Sequence, residues 1–577
     1  MPANGSLRHG AAAAKGLARC HLSGAAFALL FLAVVLAMPE AALAGGRQPQ
    51  QAKDTATGSV DGKFVTYGFE PNDPYFPKDA PPNYPGQWHL VNQHTAGLDI
   101  GVQGAWDRGL TGQGVVVGLV DDCLERTHED LAPNYDANNS WDFGENDADP
   151  SPTHSTDRHG VSTAGLVGAR GGNGIGVTGV APQAGLAGLR IDFPNQIPQM
   201  FADAILYHSD GNDTSIMIKS HSYGIASDYV STPLESNAVS VSASYGAIHC
   251  WAASNEGSDV NKKDLQNQAG AIPVAALGSD GTYADYSGYG AALFACAPSS
   301  SDYGFRITTT DRTGDAYGYN TTSEDPFPDS NYTSVFGGTS ACAPQLAGVL
   351  ALAMQAQPNL DSRFAKHLLV RTCKKVDPND NDSYSDGGWR ANAAGHEFNQ
   401  NYGFGLIDAD ALTLMATQYT GVTPLETEST GTITVGEVIL DNDANGIVRA
   451  FQLTSTTPLE DLLVTIDITH TYHSDINIEI TSPSLTTSRL VKGHEGGRGE
   501  SSHHVWEYCS NVFWGEDPNG TWTIRLADIW AADTGTWHSF EVTARMGELV
   551  PEPGTVVLLV AGAAFASRRR RRRMGRS

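Results

Sequence analysis

The sequence predicts an α/β domain with a parallel sheet, followed by an all-β sandwich. Three observations carry that expectation. Between Trp88 and about Met415, short apolar runs alternate with helical stretches, the pattern of strand–helix–strand units. After Gln418 the texture changes: threonine, valine and isoleucine alternate with polar residues at 432–440, 462–468, 476–481, 521–526 and 540–544, separated by turn residues. Finally, 577 residues exceed what one hydrophobic core organises, so two or more domains are expected.

Taken in order, residues 1–44 read as a signal peptide. Arg8, Lys15 and Arg19 precede an apolar run at 25–38, and Ala42-Leu43-Ala44 offers a small-residue cleavage site before Gly45. The run is short for a membrane span. Residues 45–71 form a polar leader. The proline-rich stretch 72–86 leads into the α/β domain, assigned to 72–418, and the β-sandwich is assigned to 427–547. The last segment, 550–577, contains Pro551-Glu552-Pro553, an apolar stretch at 555–566 and arginines at 568–573. It resembles the PEP-CTERM sorting signal of bacteria. That resemblance implies delivery to the cell surface or extracellular matrix by an exosortase-type sorting enzyme, with transient membrane association through the short apolar helix. The arginines would hold the tail on the cytoplasmic side.

The formal net charge of -28 argues against a nucleic-acid partner, which would need a basic face. Of seven cysteines, Cys20 leaves with the signal peptide. The rest lack paired spacing, so no zinc site is readable from them, and Cys123 and Cys342 read as small buried fillers.

Three short motifs carry chemistry together. The buried run 115–120 ends in Asp121-Asp122, placing carboxylates at the C-terminal edge of a parallel strand, where functional groups collect. Asp157-Arg158-His159-Gly160 opens a helix of small residues that presents an imidazole. Gly337-Gly338-Thr339-Ser340-Ala341 turns tightly into the helix around 346–354, leaving Ser340 at a helix N-terminus. Each alone reads as a cap or turn. Together, the order Asp121, His159, Ser340 is that of the subtilisin triad and differs from chymotrypsin and the α/β-hydrolases. Asn255, at the end of the strand-like run Cys250-Trp251-Ala252-Ala253, is the expected side-chain donor of the oxyanion hole.

On these motifs the chain resembles the subtilisin-like proteases of the kexin/furin branch. The likeness extends from about Asn72 to Met546 through Gln87-Trp88-His89-Leu90, Thr308-Thr309-Thr310-Asp311 and Tyr402-Gly403-Phe404-Gly405. The β-region resembles that family's jelly-roll-like P domain through Ile468-Thr469-His470-Thr471-Tyr472 and Asp517-Pro518-Asn519-Gly520-Thr521-Trp522. The resemblance implies an exported serine endopeptidase acting on protein or peptide substrates. It also implies bound Ca2+, with Asp73, Asp130 and Asn173 supplying side chains and Ile175 and Val177 supplying carbonyls. The family's preference for basic residues implies acidic subsites, matched by Asp122, Asp203 and Asp228. Two positions depart from the pattern: Ser227 stands where a pocket carboxylate is expected, with Asp228 one place later, and Gly288 replaces a glutamate that helps hold a second calcium. A non-catalytic surface adhesion protein on the same architecture is the rival reading. An esterase fits poorly, because no G-x-S-x-G elbow surrounds Ser340.

Overall fold

Strand β1 (Val116–Asp121) has five consecutive buried positions, the continuous apolar run of a strand covered on both faces. Six more strands join it: β2 (Trp141–Asp142), β3 (Gly185–Arg190), β4 (Ile218–His221), β5 (Ile248–Ala252), β6 (Ala271–Leu277) and β7 (Ala295–Pro298). All pair in parallel, in the order β2-β3-β1-β4-β5-β6-β7. From β1 the chain builds outward to both sides, which opens a crevice at the carboxyl ends of the central strands.

This computed structural model describes residues 57–60, 63–66, 68–77, 86–301, 304–321, 325, 327–383, 385–493 and 502–553, the first two as backbone only. The expected signal peptide and the tail beyond Pro553 lie outside the described residues. Among the described residues no helix is long and apolar enough to cross a membrane.

Helices α1 (His159–Gly168), α2 (Pro198–Leu206), α3 (Cys342–Ala356) and α4 (Ser362–Thr372) pack around this sheet. Every residue of α3 from Cys342 to Ala353 is buried. A helix apolar on all sides needs partners on all sides, and α3 has them in α1 and strands β4 to β7. Among the described residues five cysteines are buried and Cys373 is half-buried, none of them in a disulfide.

The second region is a two-sheet sandwich, as the alternating segments predict. Its strands are β8 (Glu426–Ser429), β9 (Ile433–Ile439), β10 (Ile447–Leu453), β11 (Leu459–His470), β12 (Ile476–Thr481), β13 (Thr487–Val491), β14 (Ser502–Ser510), β15 (Gly520–Asp528) and β16 (Gly535–Met546). One sheet runs β8-β16-β11-β14, with β9 also paired to β16, and the other runs β10-β15-β12-β13. From Leu463 onward β11 alternates half-buried and buried residues, the inward set being Val464, Ile466 and Ile468.

The two regions share a core. Val512 and Trp514, from the loop after β14, belong to the same apolar cluster as the α/β sheet and α3. The Trp514 ring meets Phe294 and Phe404 edge-on. Asparagines bridge the seam: Asn261 Nδ2 donates to the Cys509 carbonyl, Asn511 Nδ2 to that of Ala292, and Asn392 Nδ2 to those of Val512 and Trp514. Glu460, only 1% exposed, accepts from Arg363 and His367 of α4. Burial raises the Glu460 carboxyl pKa, but the His367 and Arg363 hydrogen bonds outweigh it and bring it down to about 2. Burial also keeps the His367 pKa below its ordinary value. Trp514→Ala is expected to destabilise the protein by about 3–5 kcal/mol in denaturant melts, with both regions unfolding together. Separate transitions, with the α/β part unaffected, would show that the seam contributes nothing.

Candidate active site

Three elements converge at the carboxyl edge of the sheet. Asp121 closes β1, His159 opens α1, and Ser340 sits in the 3-10 turn Thr339–Ala341 that leads into α3. The turn carrying Ser340 packs against α1.

Asp121 is 5% exposed. His159 Nδ1 lies 2.9 and 3.1 Å from its two carboxylate oxygens. The Asp122 backbone N–H and the Thr163 hydroxyl donate to the same carboxylate at 2.8 and 2.9 Å. Asp121 is therefore fixed from several directions, which fixes the imidazole tautomer with Nδ1 as donor. The His159 ring stands 5.3 Å from that of Phe336, centroid to centroid. Burial disfavours the charged imidazole, but the Asp121 charge and hydrogen bond, helped by Asp122, outweigh it and lift the pKa to about 9.

Thr163 was not among the expected site residues. It lies four positions after His159 on the same face of α1, a spacing that could have pointed to it. Gly160 is required for packing: a Cβ there would sit 1.8 Å from the Cys123 carbonyl oxygen. Cys123 itself is buried, as expected of a small filler. Its φ is not positive, and its thiol donates to Asp122 Oδ1.

Ser340 Oγ makes no hydrogen bond to His159. Its bond runs to the Ser222 carbonyl at 3.4 Å, while the Ser222 hydroxyl donates to the Ser340 carbonyl at 3.0 Å. The structure thus forms the Asp121–His159 pair and leaves the Ser340 hydroxyl turned to the Ser222 carbonyl; such hydrogen bonds are often long or unmade before substrate arrives. Asn255 is oriented more tightly. Its Oδ1 accepts the Thr339 N–H at 2.8 Å and the Thr339 hydroxyl at 2.9 Å, and its Nδ2 has no partner among the described residues. Ser254, at φ 84°, makes the sharp turn that delivers it. An amide N–H is thereby directed beside the Ser340 turn.

The three acids expected to face basic substrates fare differently. Asp122 accepts the backbone N–H groups of Arg158, His159 and Gly160 at 2.8–3.0 Å, so its carboxylate caps α1 and holds His159 in place. Asp228 is exposed but not unpaired. It pairs with the Lys263 ammonium at 2.9 Å, a lysine 2% exposed, so its charge is already compensated. Asp203 is exposed on α2 and accepts from Gln199 at 2.7 Å.

The expected calcium residues do come together. Asp73 accepts the N–H groups of Gly172, Asn173 and Gly174. Asp130 accepts Asn173 Nδ2 at 2.8 Å and the Val177 N–H at 2.9 Å, while Asn173 Oδ1 accepts the Ile175 N–H. Asp73 and Asp130 are 4% and 0% exposed. Neither carboxylate has an ion-pair partner among the described residues. Burial raises the pKa of both, that of Asp130 to about 6. Two buried acids without a cation, beside an amide and the backbone carbonyls of Ile175 and Val177, form an all-oxygen donor set that suits Ca2+.

Comparison with known proteins places the chain among others of this build. The model of the subtilase family matches residues 112–405, and that of the proprotein convertase P-domain matches 459–544. Proprotein convertase subtilisin/kexin type 5 of Rattus norvegicus is 30% identical over 468 residues, covering 78% of this chain and 25% of its own length. Kexin of Saccharomyces cerevisiae is 30% identical over 492 residues, covering 82% and 56%. The chain thus spans only a quarter to somewhat over half of these relatives. The serine protease of Aeromonas sobria superposes with a TM-score of 0.73 at 24% identity, over 85% of this chain and 99% of that one. In complex with its chaperone, the Aeromonas protease gives a TM-score of 0.72 at 25% identity, over 80% and 94%.

Proposed function

The chain belongs to the subtilase family, and from that premise we propose that it is a serine endopeptidase using Asp121, His159, Ser340 and Asn255. The Asp121–His159 hydrogen bond beside the Ser340 turn carries this reading. Ser340 Oγ rotates toward His159 Nε2, which takes its proton as Oγ attacks the peptide carbonyl; Asp121 stabilises the imidazolium. Negative charge then develops on the carbonyl oxygen, where Asn255 Nδ2 and the Ser340 backbone N–H are the donors. His159 next passes its proton to the leaving amine, and water repeats the sequence to release the acyl group. A fluorophosphonate probe tests this: the folded protein takes up one covalent label at Ser340. A protein that stays unlabelled returns the rival reading of a non-catalytic adhesion protein.

The relatives' names tie them to proprotein conversion, but paired-basic cleavage does not follow here. Asp122 is occupied as a helix cap and Asp228 pairs with Lys263, leaving Asp203 as the one of the three that is exposed without an ion-pair partner among the described residues. Peptide-library profiling is expected to show cleavage without a requirement for two consecutive basic residues. A strict dibasic motif would restore the convertase specificity.

Asp73, Asp130, Asn173 and the carbonyls of Ile175 and Val177 would hold Ca2+, which would supply positive charge to two buried carboxylates and tie the segment around Asp73 to the catalytic domain. At saturating Ca2+ the stabilisation expected from binding linkage is about 2–4 kcal/mol, so a chelator lowers Tm. A Tm indifferent to chelator rules the site out. The features at 1–44 and 550–577 support action outside the cytoplasm, at a bacterial surface or in its matrix.

A further inference from the structure

The outer face of the sandwich's five-stranded sheet carries a constellation that proteolysis does not use. Asp467 on β11, His503 on β14 and His538 on β16 each offer a ligand atom, all within 4.8 Å of one another. Neighbouring strands bring them together. His503 lies on the residue pair opposite Thr469, and Asp467 lies opposite Ser539. The register between β11 and β16 then slips: Asp467 pairs with Ser539 and Ile468 with Trp537, so His538 is an inserted residue. Such a bulge re-aims a side chain. Trp537 goes fully into the core, and His538 stays half-exposed beside Asp467.

The side chains already engage one another. His503 Nε2 is 2.6 Å from Asp467 Oδ1, and the Ser539 hydroxyl reaches Asp467 Oδ2 at 3.5 Å. His538 Nε2 is 2.8 Å from the Thr469 hydroxyl, and the two imidazole rings are 5.7 Å apart, nearly perpendicular. We propose that Asp467, His503 and His538 form a binding site for a zinc-class divalent transition-metal ion, with a fourth position open to water.

Donor chemistry selects this class of ion. Two neutral imidazoles and one carboxylate suit Zn2+, Co2+ or Ni2+, whereas Ca2+ and Mg2+ take oxygen. Zinc sites with three protein ligands keep a solvent position, and metal–ligand distances near 2.0–2.2 Å place tetrahedral donors about 3.3 Å apart. Reaching that geometry changes separations by at most about 1.5 Å, the His503–Asp467 contact opening while wider pairs close. His503 is free to move, being 61% exposed. The Thr469 hydroxyl gives up its bond to His538 Nε2, and Ser539 remains as an outer partner orienting the carboxylate. The ion would clamp β14 to β11 and β16. β14 is the strand whose Trp506 and Cys509 also bond to the α/β domain.

The test uses the full chain, stripped of metal, returned to saturating Ca2+ and titrated with Co2+ while the visible spectrum is read. One equivalent is expected to give the absorption of a low-coordinate nitrogen–oxygen site, with a rise in Tm, and Zn2+ is expected to displace it. His503→Ala and His538→Gln should each abolish the spectrum, and Asp467→Asn should weaken binding. Asp130→Asn should leave it intact, separating this site from the calcium residues. His503 lies at the surface, so its truncation leaves the fold in place, as far-UV dichroism would verify. A wild-type chain giving no Co2+ spectrum overturns the proposal, as does a spectrum that survives both histidine substitutions.

Discussion

Ser340→Ala is expected to lower kcat by about six orders of magnitude, because the nucleophile and its base act as one unit. KM for a peptide substrate should change little, since Ser340 contributes one small side chain to the cleft. Residual turnover of about a thousandfold over the uncatalysed reaction would remain, from binding and from the oxyanion donors. The fluorophosphonate label should disappear with it. Labelling that persists in Ser340→Ala would place the nucleophile elsewhere. Because Ser340 is 8% exposed and alanine fits its turn, Tm should stay close to wild type.

Asp121→Asn should be the next most damaging change, lowering kcat by about ten thousandfold. The carboxamide can present its NH2 group to Nδ1, which moves the imidazole proton to Nε2, where Ser340 needs an acceptor. A pH profile gives a second signature. His159 must be neutral to act as base, and its pKa is lifted to about 9, so kcat/KM of the wild type should fall as pH drops through about 9. Removing the Asp121 charge leaves burial opposed only by the smaller influence of Asp122. The acidic limb of Asp121→Asn should therefore move to lower pH even as the plateau collapses. An unchanged limb would mean that His159 is not the titrating base.

Much of the fold can be read in the sequence, and the reasons are local. The run expected at 115–120 is found as Val116–Asp121, and the segment expected at 476–481 as Ile476–Thr481, because alternation or continuous burial marks such strands directly. β14 escaped. Its His503, Val505 and Glu507 face outward and Trp506 and Tyr508 inward, but the stretch lacks the β-branched density that announces a strand. Asn261, Asn392 and Asn511 read as turn residues in isolation, and nothing in a linear pattern says that they bridge two regions. At the site, the motifs identified Asp121 and His159 because each sits at the end of an element. The ion pair of Asp228 with Lys263 was not legible, because the partner lies far along the chain and charge compensation leaves no periodic trace. His538 was invisible because its orientation depends on a one-residue slip in register.

The seam at Trp514 has a consequence for biogenesis. Ser340 is made well before Val512 and Trp514, yet both belong to the core that packs around α3. At synthesis rates of 5–20 residues per second, the catalytic half waits on the order of ten seconds for its last core residues. During that interval the chain is a complete set of reactive groups without a finished scaffold. The late-arriving tryptophan thus makes completion of the α/β core wait until most of the second region has been synthesised.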